Sequence, residues 1–214
     1  MSEKINKALV SYIEKNYFPI YETFDKGHNL NHILGALRRA LIIADEIADE
    51  SIDMNIVYAA TTLHDIGIQI ERKNHALHSG EIIRKDENLK QFFNSEEIET
   101  IANAAEDHST SKGIEPRTIY GKIVCDADKD DDLEESLLRA YEYTKNYFPT
   151  YTEEECFKNV YNQIVYKFGP EGKVKFWTET SVPQTIYSQM QNLANNEQEF
   201  NHTLQLTLEK RTSK

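Results

Sequence analysis

A histidine and an aspartate stand side by side where an apolar helix is predicted to end. They occur in Thr62-Leu63-His64-Asp65-Ile66-Gly67, behind a run of apolar residues with helical spacing, and Gly67 is suited to the left-handed residue that ends such a helix. An imidazole and a carboxylate together offer a nitrogen and an oxygen ligand to a metal ion. Taken alone, the pair also has a plainer interpretation, in which His64 is a hydrogen-bonded core histidine and Asp65 a surface residue.

Two further positions could complete such a site. Asn29 is suited to cap a long helix, which places His32 in its first turn and His28 just outside it. Asp126 follows Ile123 by three residues on a predicted inward face, where an unpaired carboxylate is disfavoured and a cation is the usual remedy. The residues predicted to converge on one metal ion are His32, His64, Asp65 and Asp126.

Helical periodicity dominates the chain and predicts an all-α fold. The 214 residues suffice for one well-packed domain, with a metal-binding core over about 27–133 and C-terminal helices over 150–214 packing on it.

No stretch is long and apolar enough to span a bilayer, and no membrane partner is expected. Cys125 and Cys156 show no metal-binding spacing, and we expect a cytoplasmic protein. A homodimer is left open.

The charge balance excludes one class of partner. Lys and Arg total 24 against 36 Asp and Glu, which gives a net charge of -12. A polyanion needs a basic surface to bind, so neither DNA nor RNA is expected as a partner. A small phosphorylated substrate needs only a few local cations.

The order His32, then His64-Asp65, then Asp126 resembles the HD superfamily of metal-dependent phosphohydrolases. Leu63 to Gly67 is similar to the central signature of that family, and His75-Ala76-Leu77-His78-Ser79-Gly80 to the segment that often follows it. His108-Ser109 and Asp126-Ala127-Asp128-Lys129 resemble its later motifs. The resemblance covers roughly Gly27 to Leu133 and implies a helical bundle with the metal in its centre.

The resemblance implies hydrolysis of a nucleotide or another small phosphoester by a metal-activated water. Asp65 would bind the metal through one oxygen, and His75 or His108 would act as acid to the leaving oxygen. The mixed nitrogen and oxygen set suits Mn, Fe, Ni or Zn better than Ca, and Mg stays among the candidates. A catalytically inactive metal- or nucleotide-binding domain is the alternative function, and a metal-free helical scaffold is a third.

Two departures from the family pattern affect the expected substrate. Gly35 stands where many members have a basic residue, and Ile68 stands where cyclic-dinucleotide hydrolases have Lys, which argues against that activity. Phosphate contacts would then fall to other residues. The candidates are His28, Arg38, Arg39, Arg72, Lys73 and Lys129.

His75 and His108 also decide the number of metal ions. In dinuclear members that hydrolyse dinucleoside polyphosphates, a histidine four residues before a small pair and a later histidine before Thr serve a second ion. Here His75 precedes Ser79-Gly80 by four and His108 precedes Ser109. We predict one ion with these histidines lining the pocket, and two ions as the alternative.

Overall fold

Helices alone build the part of the chain that the structure describes. The computed structural model describes residues 4–25, 27–109, 114–129 and 132–212, and these contain no strand, which confirms the all-α class. The chain divides into two compact units, Met1–Lys129 with Phe176–Val182 and Asp130–Lys175 with Pro183–Lys214. That the helices over 150–214 pack on the metal-binding core as one domain stays a prediction.

A buried central helix organises the first unit. The helices of this unit are α1 (Lys7–Asn16), α2 (Phe18–Tyr21), α3 (Leu30–Ile47), α4 (Met54–Leu63), a 3-10 helix (Ile66–Gln69), α5 (His75–Lys85), a second 3-10 helix (Glu87–Gln91), α6 (Ser95–Asp107) and α7 (Ile119–Ala127). Helix α4 is buried from Ile56 to Leu63 and contacts α3, α6 and α7. A helix that is apolar on all sides belongs at the centre of a bundle, so α4 ends in the interior.

The second unit is a set of longer helices. They are α8 (Leu133–Tyr147), α9 (Glu153–Phe168), α10 (Ser181–Asn195), whose first two residues belong to the first unit, and α11 (Glu197–Thr212). The hydroxyl of buried Thr144 in α8 donates a hydrogen bond of 3.1 Å to the side-chain oxygen of Asn159 in α9. Among the described residues, every His and Asp group that could hold a metal lies in the first unit.

None of the described helices combines the length and the hydropathy that a membrane crossing requires. The cytoplasmic location stays a prediction.

Gly67 has a different role from the one that its position suggested. It lies inside the first 3-10 helix and does not adopt a left-handed conformation. A Cβ at this position would lie 2.1 Å from the carbonyl oxygen of His75 and 2.5 Å from the nitrogen of Ser79. The Gly67 amide also donates a hydrogen bond to the Ser79 hydroxyl at 2.8 Å. Glycine is needed here because the backbone of α5 comes too close for any side chain.

Candidate metal centre

The end of α4 places His64 and Asp65 inside the bundle. His64 is the C-cap of α4, and Asp65 leaves the helical conformation with φ -103 and ψ 2. His64 is 0% exposed and Asp65 is 1% exposed, so the interpretation of Asp65 as a surface residue is wrong. The buried Tyr21 hydroxyl donates a hydrogen bond to the carbonyl of Thr62 at 2.8 Å and holds the last turn of α4 in place.

Four residues from α3, the end of α4 and the end of α7 form what we call the first set: His32, His64, Asp65 and Asp128. Asn29 caps α3 by accepting a hydrogen bond from the His32 amide at 3.2 Å, which fixes His32 in the first turn as expected. The Nε2 atoms of His32 and His64 lie 3.0 and 3.3 Å from Asp128 Oδ1. The same nitrogens lie 3.7 and 3.3 Å from Asp65 Oδ2. One potential ligand atom from each residue lies within 4.8 Å of all the others.

The other oxygen of Asp65 faces a second group, which we call the second set: Asp65, His75 and His108. His75 Nε2 lies 3.2 Å and His108 Nε2 3.3 Å from Asp65 Oδ1. The two imidazole nitrogens are 3.1 Å from each other. Asp65 is therefore shared by both sets, with one oxygen directed to each.

Backbone hydrogen bonds orient three of the four imidazoles in these sets. In each case Nδ1 pairs with the carbonyl oxygen three residues earlier in the chain. The pairs are His64 with Thr61 at 2.7 Å, His75 with Arg72 at 2.7 Å and His108 with Ala105 at 2.5 Å. A carbonyl can only accept, so Nδ1 carries a proton and Nε2, which can bind a metal whenever it is unprotonated, points into the site. Metal-binding histidines are oriented in the same way.

The carboxylate of Asp65 provides a direct test of whether a cation fits. Both of its oxygens are buried, and neither has a hydrogen-bond partner among the described residues. A buried carboxylate without a partner costs several kcal/mol, on the order of the desolvation penalty of one ion. A divalent cation on each side would satisfy both oxygens and would also separate the facing lone pairs of His75 and His108. The residues present therefore fit a metal.

The charges in the first set also favour a bound cation. Burial alone would lower the pKa of the His64 imidazole, but the charge of Asp65 and the contact with Asp128 outweigh it and raise that pKa well above its ordinary value, so that without a metal ion a proton on Nε2 takes the place of the cation. Burial would raise the pKa of both carboxyls, but the neighbouring imidazoles hold the pKa of Asp65 and of Asp128 well below the usual range. The carboxylates are thus ionised at neutral pH and favour a bound cation.

Asp128 occupies the place that the sequence analysis gave to Asp126. Asp126 is buried as expected, at 1% exposure, but its oxygens accept hydrogen bonds from the backbone of Trp177 and Thr178 and from Lys129. Its charge is therefore neutralised by the protein, and Asp126 is not part of either set. The helical pattern correctly identified Asp126 as buried. The residue that faces the imidazoles is Asp128, two positions later.

Two of the residues proposed to bind phosphate lie together at the edge of the site. The His28 ring centroid is 6.0 Å from that of His32 and 6.2 Å from that of His75. His28 Nδ1 lies 3.0 Å from the carboxylate of Asp25, which also forms an ion pair with Arg72. Burial lowers the pKa of His28 against the opposing effect of Asp65, so the ring is neutral at pH 7. Asp25 was missed by the sequence analysis, and its three-residue spacing from His28 was the available signal.

The remaining basic candidates are placed differently. Arg39 is buried and donates from Nε to the carbonyl of Ala127 at 2.7 Å, and Lys129 donates to Asp126 at 3.1 Å. Both side chains therefore support α7. Arg38 and Lys73 are exposed.

Comparison with known proteins agrees with the fold and the site. Residues 29–133 match the family model of the HD domain, and the match spans both sets. The chain therefore contains a domain of the HD superfamily, most of whose members are metal-dependent hydrolases, which confirms the resemblance seen in the sequence. No curated protein and no solved structure matches the chain.

Proposed function

We propose that this protein is a metal-dependent phosphohydrolase that acts on a nucleotide or another small phosphoester. The observation that carries the proposal is the carboxylate of Asp65, whose two buried oxygens lack hydrogen bonds and face two different groups of imidazole nitrogens. The two sets would each hold one cation, with Asp65 contributing an oxygen to both. Mn, Fe, Ni and Zn suit the mixed nitrogen and oxygen ligands best, and Mg is included among the candidates.

The chain's own residues would act mainly by position and charge. Divalent cations would supply a lowered pKa for a water molecule and positive charge for a phosphoryl oxygen. The first set would hold one cation through His32, His64 and Asp128, and the second would hold the other through His75 and His108. Asp65, as the shared ligand, would fix the spacing between them.

The hydrogen bonds of His75 and His108 favour a ligand role over that of a proton donor. The Nδ1 proton of each ring is already donated to a backbone carbonyl. The remaining nitrogen of each ring faces Asp65 and not the outside of the site. A proton for the leaving oxygen would then come from water.

Arg72 supplies the group that would bind phosphate, and it lies beside the neutral ring of His28. Arg72 is exposed, so its guanidinium can leave the surface ion pair with Asp25 at little cost when an anion arrives. A guanidinium offers several donors to phosphate oxygens, whereas the neutral His28 ring already donates its single proton from Nδ1 to Asp25 and would only line the pocket. Because the net charge of the chain is -12, recruitment would depend on these local groups, which suits a small substrate.

A phosphoester panel tests the proposal. Freshly purified protein is assayed against nucleoside mono-, di- and triphosphates, dinucleoside polyphosphates and a chromogenic phosphoester, with added Mn, Fe, Co, Ni, Zn or Mg. We expect metal-dependent release of phosphate or pyrophosphate from at least one substrate. Metal analysis of the same preparation accompanies the assay.

Two variants make the result specific. Asp65→Asn keeps the volume but removes the shared charge, so we expect loss of both metal and turnover with the helical circular dichroism retained. His202→Ala removes an exposed histidine in the second unit and should change neither. Metal binding without turnover of any substrate would favour the inactive binding domain, and a wild-type protein without metal would favour the scaffold.

A further inference from the structure

The carboxylate of Asp126 binds a segment that follows it by about fifty residues. Its oxygens accept hydrogen bonds from the amide of Trp177 at 2.9 Å, the amide of Thr178 at 2.7 Å and the hydroxyl of Thr178 at 2.8 Å. Lys129 adds a fourth donor at 3.1 Å. This is a fully satisfied buried charge, and it joins α7 to the segment 176–182, which we call the strap.

The other end of the strap is attached to α3. The amide of Ser181 donates to a carboxylate oxygen of Glu46 on α3 at 2.6 Å, and its hydroxyl donates to the other oxygen. Thr178 and Thr180 are buried, with their hydroxyls 3.1 Å apart. The Phe176 ring lies 4.5 Å from the ammonium of Lys129. The strap thus bridges α3 and α7, the helices that carry or precede His32 and Asp128.

Asp128 depends on the last turn of α7. It is the C-cap of that helix, and its amide donates to the carbonyl of Val124 at 2.8 Å. The strap on Asp126 and the hydrogen bond from Arg39 to Ala127 hold this turn from outside the helix. A small rotation of the turn would move Asp128 Oδ1 away from the imidazoles of the first set.

We infer that the strap positions Asp128 for metal binding, with Asp126 and Thr178 as positioning residues of the first set. The inference rests on the metal role of Asp128 in the proposed function, and it does not require turnover. The strap lies outside residues 29–133, the range that matches the HD domain. The second set has no hydrogen bond to the strap among the described contacts, so the effect should be confined to the first.

The experiment compares metal binding by Thr178→Val, Thr178→Ser and the wild type, with Mn or Co titrated into the metal-free full-length protein. Valine keeps the shape of threonine but removes the hydroxyl that binds Asp126. We expect the first-set affinity of Thr178→Val to fall by about tenfold, as is typical when an outer partner of a metal ligand is lost. Serine restores the hydroxyl and should bind within about twofold of the wild type, because it replaces the same donor.

Thr207→Val is the matched control, because Thr207 is equally buried in α11 and donates only within its own helix in the contacts described. It should leave metal affinity unchanged even where it lowers the melting temperature. If Thr178 had only a structural role, its substitution would lower the stability of the protein without weakening metal binding at the first set in particular. Equal affinity of Thr178→Val and the wild type, or equal losses in both sets, would overturn the inference.

Two further measurements distinguish a direct metal ligand from a positioning residue. Asp128→Asn should abolish binding at the first set, whereas Asp126→Asn should weaken it by about 10–100-fold, as expected for an indirect partner. Faster hydrogen exchange at residues 124–128 of metal-free Thr178→Val would support the inference without any metal, and unchanged exchange there would count against it. Normal metal binding by the wild type without phosphoester turnover would reject the proposed function and leave the inference standing.

Discussion

His75 and His108 face each other with their Nε2 atoms 3.1 Å apart, although they come from the start of α5 and the end of α6. Both rings use Nδ1 for a backbone carbonyl, so two lone pairs point toward the same space. Asp65 Oδ1 closes that space from a third side. Such an arrangement is unfavourable unless a cation or an additional proton lies between the three groups.

Where the sequence favoured one ion, this relationship favours the alternative of two metal ions per chain, of which one depends on the second set. His75→Ala and His108→Ala should each reduce the bound metal from two equivalents to one, because the first set keeps its four residues. Metal analysis after gel filtration, with His202→Ala as control, measures the ratio. The wild type could instead hold one metal ion per chain, and both variants could keep that ratio but lose turnover. That result would assign these histidines to substrate binding.

Gly67→Ala should damage the second set selectively. The added Cβ would lie 2.1 and 2.5 Å from backbone atoms of α5, so the start of that helix would have to move and carry His75 away. We expect a loss of about 1–3 kcal/mol in the free energy of unfolding, typical of overpacking, with weaker binding of the second ion.

Gly35→Ala is the matched control for this substitution. Its Cβ would meet only the end of the Arg39 side chain, at 3.3 Å, so a much smaller change is expected. Urea titration gives the stability and metal titration the affinity. Two intact metal sites in Gly67→Ala would contradict the proposed role of this close approach.

Asp25→Asn should affect substrate binding more than chemistry. Asp25 orients His28 and Arg72 but belongs to neither set, so removing its charge should raise KM severalfold with little change in kcat. Arg72→Ala should raise KM further, since the phosphate ligand itself is lost. Steady-state kinetics on the best substrate of the panel gives both constants. A fall in kcat at constant KM would assign the group a role in the reaction step.

Tyr12 should make the stability of the first unit depend on alkaline pH. Burial, together with the hydrogen bond to and the charge of Asp86, raises the pKa of Tyr12 to about 12. Because the unfolded phenol ionises near pH 10, the stabilisation is fully present below about pH 10 and is lost as the pH rises to about 12. Tyr12→Phe should therefore cost about 1 kcal/mol at pH 8, the usual value of one hydrogen bond, and progressively less above pH 10.

Urea midpoints at pH 8, 10 and 11.5 measure this effect. Tyr166→Phe removes a phenol that is 65% exposed and serves as the control. A difference between Tyr12→Phe and the wild type that stays constant over this range would show that the Asp86 contact does not control the titration.

Local sequence was sufficient for the helices and for much of the candidate site. Helical periodicity, the Asn29 cap and the burial of Asp126 depend on neighbours within a turn or two, and the structure agrees with each of them. The His64-Asp65 pair follows an apolar helix, so its burial could be inferred from the sequence that precedes it. These features are encoded locally because helix formation and capping involve residues close in the chain.

Only the tertiary structure decided which aspartate faces the imidazoles. A helical face shows that Asp126 is inward, but it does not show that Trp177 and Thr178 supply its hydrogen bonds and leave Asp128 to His32 and His64. The same holds for Asp65, whose two oxygens face separate groups only because α3, α5, α6 and α7 converge on the end of α4. The neutralisation of a buried charge depends on donors distant in sequence, and their positions are set by packing.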